Sequence, residues 1–235
     1  MENDKRTNLF LDSVIYEEIC KYSWLVSGVT TTPTFFKRDQ VDFNEFGTKF
    51  RNEFPGLELH IEALGPTSEE TEKQLLDIIK KPWFNFDKVV IKIPVSFENL
   101  KIVSKYSQRG VKFNTHLIFN PSQAYLSVLS GTSYVCPLIG RYADNIYALS
   151  HKNLRGGEND VGKKLLISII VAVEKCPKSK PVKVMASSIR TVGDFVNSVS
   201  AGADVVTVPT KILESSIENE YTNQGVASLL QNMGY

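Results

Sequence analysis

The chain has 235 residues, of which 42% are hydrophobic, and its 27 lysines and arginines nearly balance its 26 acidic residues. This length fits one α/β-barrel domain or two small domains, and the apolar content is enough to fill a core. A net charge of +1 excludes the strong overall field that is typical of nucleic-acid-binding proteins and of proteins held on anionic membranes. We therefore expect no nucleic-acid partner, and any anion site must be local.

Apolar runs and cysteines in the sequence indicate where in the cell the protein works. No apolar run approaches the roughly 18 residues of a membrane span, and the first six residues lack the apolar core of a secretory signal. The three cysteines, Cys20, Cys136 and Cys176, are odd in number and far apart, so they fit reduced thiols better than a disulfide framework or a zinc site. We predict a cytoplasmic protein with no membrane association and no bound metal.

Apolar strand-like runs alternate with amphipathic stretches from the first residues to the last, which is typical of parallel strands joined by helices. We predict eight strands, at residues 8–12, 25–30, 57–62, 87–95, 112–119, 134–141, 182–188 and 204–209. Helices are predicted at about 14–22, 43–53, 97–108, 160–174 and 222–233, with others beginning after Thr67 and at Pro121. Proline after the threonines predicts a loop at 31–34, and the polar stretch around 155–158 is a candidate lid.

Eight such units in 235 residues, with no low-complexity linker between them, predict the α/β class and a single (β/α)8 TIM barrel with a short C-terminal helix. The domain should span residues 1–235. In this fold the active site lies at the carboxyl ends of the strands. Candidate functional residues should therefore be sought at those ends.

One strand contains a residue that is unusual for a buried position. Residues 87–95 have the sequence DKVVIKIPV, whose apolar run indicates a strand buried on both faces, yet Lys92 lies near its end. One explanation is a lysine that emerges from the strand end and pairs with a carboxylate. The other is a buried amine, because burial disfavours the charged form and a deprotonated lysine attacks carbonyl groups.

Several polar side chains fall at or near predicted strand ends and would share the mouth of the barrel. They are Asp12, Glu62, Lys92, Asn114, Arg141 and Ser188. Each of them is also a residue type that caps strands and helices, but the convergence of six favours a site.

A buried lysine flanked by carboxylates suits carbonyl chemistry through a Schiff base. The resulting iminium withdraws electrons, so a neighbouring carbon–carbon bond can break without a metal. Asp12 and Glu62 suit the two proton transfers that are needed, at the cleaved bond and during carbinolamine formation. Opposite them, a phosphate clamp is predicted from Arg141, Ser188 and Arg190. Gly156-Gly157 lacks the setting of a nucleotide loop, and we expect no cofactor.

Six stretches carry a family resemblance, each weak alone and specific in their order and spacing. They are FLD at 10–12, GVTTTP at 28–33, VIKIP at 90–94, residues 119–124 and 137–141, and VMASSIR at 184–190. Over nearly its whole length the chain resembles the transaldolase family, which includes the fructose-6-phosphate aldolases.

By that resemblance, Lys92 is expected to be the Schiff-base lysine, Asp12 the acid/base at the cleaved bond, and Glu62 a carboxylate that works through a water. Asn114 is implied as a hydroxyl-binding residue, and the clamp residues Arg141, Ser188 and Arg190 as the phosphate site. The aldolase branch usually has a glutamine at the Glu62 position, so this residue favours the transferase branch.

The chain departs from the family pattern at three positions of the expected site. Thr32 replaces an asparagine that helps to hold the donor's hydroxyls, and it lacks the amide. His116 stands where the family places a threonine that positions the catalytic water; it is either catalytic or a hydrogen-bonded wall residue. Leu138 replaces an aromatic residue and removes any proton transfer by a phenol at that position.

These observations predict a transaldolase of the pentose phosphate pathway type, which transfers a dihydroxyacetone unit between sugar phosphates through a lysine Schiff base. A fructose-6-phosphate aldolase-like or substrate-shifted sugar aldolase is the first alternative. A barrel that binds without turnover is the second. Small members of this family often form rings through the C-terminal helix, so we expect a homo-oligomer. The alternative is that residues 222–235 close the bottom of their own barrel.

Overall fold

Eight parallel strands close into one barrel in the computed structural model, which describes residues 6–150, 155, 157 and 159–234. Neighbours in the barrel follow the chain order, and the first strand also pairs with the eighth. The strands are β1 (Asn8–Asp12), β2 (Gly28–Thr30), β3 (Glu58–Glu62), β4 (Val89–Pro94), β5 (Lys112–Ile118), β6 (Tyr134–Pro137), β7 (Lys183–Ala186) and β8 (Val205–Val208). The predicted (β/α)8 fold is therefore confirmed.

The described part of the chain contains eleven helices, most of them in the crossovers between strands. They are α1 (Tyr16–Tyr22), α2 (Pro33–Arg38), α3 (Phe43–Glu53), α4 (Ser68–Ile79), α5 (Phe97–Ser107), α6 (Pro121–Leu129), α7 (Ile139–Ser150), α8 (Val161–Lys175), α9 (Val192–Ser200), α10 (Thr210–Ser215) and α11 (Glu220–Asn232). None of these helices is long and apolar enough to cross a membrane.

Local sequence signals place the beginnings of several helices. Thr67 forms a capping box with Glu70 at the start of α4, and the Asp42 carboxylate accepts two backbone N–H groups at the start of α3. Asn120 caps α6, and Pro121 takes the first helical position, where the missing N–H costs nothing. These caps set where each helix leaves the mouth of the barrel.

The apolar core lies mainly between the barrel and its helices, in two clusters. One cluster packs β1 to β5 against α3, α4 and α5, and the other packs β5 to β8 against α6, α7 and α8. Inside the barrel, the polarity of the side chains differs between the lower part and the carboxyl ends of the strands. Phe10, Val90, Tyr134, Met185 and Val205 fill its lower part, and polar groups gather at the carboxyl ends of the strands. The carboxyl end of the barrel is therefore its polar mouth.

Several predicted boundaries are wrong; for example, the second strand was predicted from residue 25 and begins at Gly28. The strand predicted to reach Arg141 ends at Pro137, and α7 begins two residues later at Ile139. Short apolar runs fit a strand and a buried helix equally well, which explains this error. The loop predicted at 31–34 is cut short because Pro33 opens α2. Proline is well tolerated at the first position of a helix, so it favours a start there as readily as a loop.

The C-terminal helix is present but does not seal the barrel. Residues 217–234 are all exposed, including Leu229 and Leu230 of α11. The alternative in which this segment closes the bottom of its own barrel is therefore wrong. Of the candidate lid at 155–158, Arg155 and Gly157 belong to the described residues, whereas Gly156 and Glu158 lie outside them.

Replacing Phe50 by alanine should lower the free energy of unfolding by about 3–5 kcal/mol, because a large buried side chain leaves a cavity when it is truncated. Phe50 is 1% exposed, and its ring lies between those of Phe46 and Phe54. Phe97, which is 70% exposed at the start of α5, is the matched control and should change stability by about 0.5 kcal/mol or less. Denaturant unfolding measures both; equal losses would contradict the core assignment.

Candidate active site

Lys92 lies on β4 and points into the mouth of the barrel, where the residue is 8% exposed. Its Nζ donates a hydrogen bond to the Thr31 carbonyl oxygen at 2.7 Å and lies 3.7 Å from Oε2 of Glu62. The side chain does not emerge into solvent, which was the first explanation for its position. A buried charge needs such partners, because burial without them costs several kcal/mol, on the order of the values measured for broken buried ion pairs.

Glu62, at the end of β3, contacts both Lys92 and a histidine. Nε2 of His116 lies 3.0 Å from Oε1 of Glu62, within ion-pair distance, but the contact is not aligned as a regular hydrogen bond. Burial opposes ionisation of Glu62, but the neighbouring His116 and Lys92 outweigh it and hold the pKa of this carboxyl below its ordinary value. Burial also lowers the pKa of His116, which favours a neutral imidazole beside the carboxylate.

Asp12, at the end of β1, is set apart from Glu62 by its surroundings. Burial raises its pKa above the ordinary value, although the Lys92 charge and a hydrogen bond from Thr30 act in the opposite direction. Thr30 Oγ1 donates to Asp12 Oδ1 at 2.7 Å, and it lies 2.5 Å from the Thr207 hydroxyl. Thr207 therefore donates to Thr30, because the single Thr30 proton is used on Asp12. Two carboxyls with pKa values moved in opposite directions suit two different proton transfers.

A cavity of about 310 Å³ opens over these residues. Nine of the ten residues that were predicted for the site line it: Asp12, Thr32, Glu62, Lys92, His116, Leu138, Arg141, Ser188 and Arg190. The tenth, Asn114, is fully buried and lies beneath the cavity. Its backbone is in register with Lys92 on the neighbouring strand, so it belongs to the floor of the site.

The cationic rim of the cavity is formed where β6 meets α7 and where β7 meets α9. The backbone N–H of Arg141 donates to Ser188 Oγ at 3.2 Å, which ties the two turns together. Ser188 has a φ of +61°, a conformation that non-glycine residues rarely adopt. A Cβ on Gly140 would lie 1.8 Å from the Ser188 carbonyl oxygen, so only glycine allows this approach.

Acidic residues hold this rim from outside. The carboxylate of Asp194 accepts the backbone N–H of Arg190 at 2.9 Å and a guanidinium N–H of Arg155 at 2.7 Å. Arg155 also pairs with Asp144, whose other oxygen lies 3.5 Å from Nε of Arg190. The Arg190 side chain is about half exposed, so it remains available to an anion in the cavity. Arg141 is exposed at the same rim.

An irregularity in β5 separates His116 from the regular strand. The register between β5 and β6 shifts between His116 and Ile118, and Leu117 has a φ of +58°. A bulge of this kind re-aims the side chains next to it and is common beside active sites. Here it accompanies the approach of His116 to Glu62.

Sequence reasoning missed several residues of the site. Thr30, Thr207, Cys136 and Ser187 also line the cavity, and two of these hydroxyls form the chain that ends on Asp12. The signal that was available is the period of two along a strand, because Thr30 and Thr207 occupy inward positions near strand ends. Burial raises the pKa of the Cys136 thiol to about 11, which keeps it protonated at neutral pH.

A closed parallel barrel with a buried lysine, two carboxyls and an arginine rim at its carboxyl end belongs to the class of (β/α)8 proteins that carry their chemistry on the strand ends. The family model described as transaldolase/fructose-6-phosphate aldolase matches residues 9–233. The chain therefore belongs to the transaldolase/fructose-6-phosphate aldolase family.

Three relatives match along nearly their whole length. A probable transaldolase of Caldicellulosiruptor saccharolyticus is 32% identical over 226 residues, which cover 95% of each chain. A probable transaldolase of Alkaliphilus metalliredigens is 30% identical over 228 residues, or 95% of this chain and 96% of the relative. One from Methanococcus maripaludis is 30% identical over 227 residues and 95% of each chain. The general aldolase and transaldolase character of the chain follows from these matches.

The Thr30→Val variant should raise the pKa of Asp12 further, because it removes the hydroxyl that stabilises the ionised carboxylate. A ¹³C NMR titration of the carboxyl groups measures this directly in the ligand-free protein. Thr132→Val is the matched control: Thr132 is also buried, but its hydroxyl is bound to the carbonyl oxygens of Phe113 and Tyr134. An unchanged or lower Asp12 pKa in Thr30→Val would contradict the role of this hydroxyl.

Proposed function

We propose that the protein is a transaldolase that transfers a dihydroxyacetone unit between sugar phosphates through a Schiff base on Lys92. The observation that carries this proposal is the burial of the Lys92 amine 3.7 Å from Glu62, on the floor of a cavity with arginines at its rim. The probable transaldolases at about 30% identity support the same activity.

The first step is attack of the Lys92 amine on the C2 carbonyl of a ketose phosphate, which forms a carbinolamine. A proton must leave Nζ before the attack, and Oε2 of Glu62 at 3.7 Å is a near acceptor. Loss of water from the carbinolamine needs that proton returned to the departing hydroxyl. The neutral imidazole of His116 beside Glu62 would relay it or hold the water that does so. The product is an iminium and one molecule of water.

Asp12 then acts as the base at the bond that breaks. It accepts the proton of the C4 hydroxyl while the C3–C4 bond cleaves, and the bonding electrons pass to the iminium and form an enamine. A carboxyl with a raised pKa suits this role, because it is a stronger base than an ordinary carboxylate and holds the proton until the alkoxide formed from the acceptor aldehyde takes it up. The hydroxyls of Thr30 and Thr207 steady the carboxylate in its ionised state.

The rim would hold the phosphate group of the substrate. Arg141 and Arg190 supply positive charge, and Ser188 supplies a hydroxyl at the same turn. Binding the phosphate at one end and the carbonyl at Lys92 fixes which carbon–carbon bond lies over Asp12. Thr32 and Leu138, which line the cavity between these ends, would set the room for the sugar hydroxyls.

The setting that goes with this proposal is the pentose phosphate pathway in the cytoplasm. We propose a homo-oligomer whose contact includes α11, because its apolar residues are exposed. The physiological sugars follow from the family only as defaults, namely sedoheptulose 7-phosphate and glyceraldehyde 3-phosphate.

Treatment with a ketose phosphate and borohydride should leave a stable adduct on the wild-type protein, because borohydride reduces the iminium to an amine. Lys92→Met should form no adduct, since it lacks the nucleophile. Intact-mass spectrometry measures both. Lys88→Met is the matched control: Lys88 lies just before β4, donates to the Gly56 carbonyl oxygen, and should be dispensable for the adduct.

An adduct on Lys92→Met, or none on the wild type, would contradict the Schiff-base assignment. The second of these results would favour a barrel that binds sugar phosphates without turnover.

Transfer should be faster than simple cleavage. We expect release of aldose phosphate to rise at least about tenfold when an acceptor aldehyde phosphate is added, which corresponds to about 1.4 kcal/mol of the barrier to turnover. The reason is that Glu62 stands where the aldolase branch has glutamine. A coupled assay with and without acceptor measures the ratio, and equal rates would favour the aldolase alternative that Thr32 and His116 leave open.

A further inference from the structure

A buried polar pair lies inside the barrel, directly below the layer that contains Lys92. The inward side chains of β1, β3, β5 and β7 contact one another there: Phe10, His60, Asn114 and Met185. His60 and Asn114 are fully buried. The interior layers of such barrels are normally filled by bulky apolar residues, so two polar side chains at this depth call for an explanation.

The hydrogen bonds of His60 determine which of its nitrogens carries the proton. Nε2 lies 2.8 Å from Oε1 of Glu58, and the Tyr134 hydroxyl donates to the same oxygen at 2.5 Å. A carboxylate only accepts, so Nε2 carries the proton. Burial lowers the pKa of His60 and keeps the ring neutral, although Glu58 acts in the opposite direction. Nδ1 is then an acceptor, and Nδ2 of Asn114 donates a hydrogen bond to it at 2.9 Å.

The two polar atoms of the Asn114 side chain differ in their hydrogen bonding. Nδ2 is used on His60 and on the sulfur of Met185, at 3.4 Å. Oδ1 is buried and has no hydrogen-bond partner among the described residues. Leaving such a group unpaired is unfavourable, and a bound hydroxyl would supply the missing hydrogen bond. Asn114 is in register with Lys92 on the adjacent strand, so the free oxygen lies next to the layer where the substrate would be attached.

We propose that His60 is a positioning residue that keeps the Asn114 amide turned so that Oδ1 can accept a hydrogen bond from a hydroxyl of the sugar unit bound to Lys92. This inference rests on the proposed function and deepens it. The oxygen and the NH2 group of an amide are nearly equal in size and shape. Without a neighbouring group that distinguishes them, the Asn114 amide can rotate and direct Nδ2 toward the sugar instead of Oδ1. Because Nδ1 of His60 is an acceptor, it favours the orientation in which Nδ2 of Asn114 points toward it.

Glu58 supplies the constraint at the far end of the chain of contacts. While its carboxylate accepts from Nε2, the His60 proton stays there and Nδ1 stays an acceptor. If Glu58 is replaced, the proton can move to Nδ1, which would then attract Oδ1 of Asn114 and remove it from the site. A side chain at the amino end of β3 thus controls an amide on the floor of the cavity.

A double-mutant cycle tests this proposal. His60→Ala should lower kcat/KM for a ketose phosphate by about tenfold, the effect of losing one well-placed hydrogen bond to the reacting sugar. Asn114→Ala should lower it as much or more, and the double variant should be no worse than Asn114→Ala alone. Fully multiplicative losses, or no loss in His60→Ala, would overturn the proposal.

The matched control is Val205→Ala, another interior truncation that leaves the polar chain intact. It should lower the melting temperature but leave kcat/KM within about twofold, because a packing loss alone does not turn the amide. A loss in the control as large as that in His60→Ala would show that any interior truncation impairs the site, and it would overturn the proposal. Glu58→Leu removes the acceptor of the His60 Nε2 proton, nearly keeps the volume of the side chain, and serves if His60→Ala does not fold. It should lower kcat/KM in the same direction, and unchanged kinetics would contradict the proposed chain.

A readout that needs no turnover separates this proposal from the proposed function. ¹⁵N NMR of histidine-labelled wild-type protein should show His60 neutral, with the proton on Nε2 and none on Nδ1; loss of the signal in His60→Gln assigns it among the three histidines of the chain. A proton on Nδ1 would overturn the positioning role whether or not the enzyme is active. If the wild type gives no borohydride adduct, the proposed function fails, and the positioning role fails with it because no sugar is attached for Asn114 to contact. An adduct together with multiplicative losses in the cycle would refute the positioning role alone.

Discussion

The site depends on the burial of one positive charge. The Lys92 ammonium group can occupy the barrel only because the Thr31 carbonyl oxygen and the Glu62 carboxylate lie within reach of it. In turn, the charge of Lys92 lowers the pKa of both carboxyl groups of the mouth; at Asp12 burial is the larger effect and the pKa is raised, whereas at Glu62 it is lowered. Removing the lysine would therefore change the protonation of its neighbours as well as delete a nucleophile.

Charged and polar groups are also held by neighbouring groups at the rim and below the floor of the cavity. Net charge is nearly zero over the chain, yet the rim presents Arg141 and Arg190 to the cavity while Asp144 and Asp194 lie behind it. Below the floor, a neutral histidine is held between a carboxylate and an amide. Glu58, His60 and Asn114 thus form one line of contacts in which each side chain orients the next one toward the cavity.

Much of the fold follows from local sequence. The apolar run before Pro94 predicts a strand buried on both faces, and β1 and α3 have the bounds that their sequences indicate. The segment after Pro137 was misassigned because residues 138–141 suit a strand and a buried helix alike. The direction of the chain there is decided by packing, since Gly140 must approach the Ser188 backbone. That contact joins residues 48 positions apart and has no local signature.

Part of the candidate site could likewise be predicted from the sequence, and part could not. Strand ends identify which residues can meet, and nine of the ten predicted side chains do line one cavity. The position of Asn114 below the cavity was not predictable, because it depends on the depth at which each strand crosses the barrel. Nor was the chain of hydroxyls from Thr207 through Thr30 to Asp12, which joins three strands in one line of hydrogen bonds. Period-two alternation indicates that such side chains face inward, but not which of them touch.

We propose that a sugar phosphate is held between the Lys92 amine and the arginine rim, with Asp12 at the bond that breaks. The most direct measurement is a crystal structure of the protein after borohydride reduction in the presence of a ketose phosphate. We expect continuous density from Nζ of Lys92 into the sugar and a phosphate between Arg141 and Arg190. An adduct on another lysine, or a phosphate bound away from this rim, would contradict it.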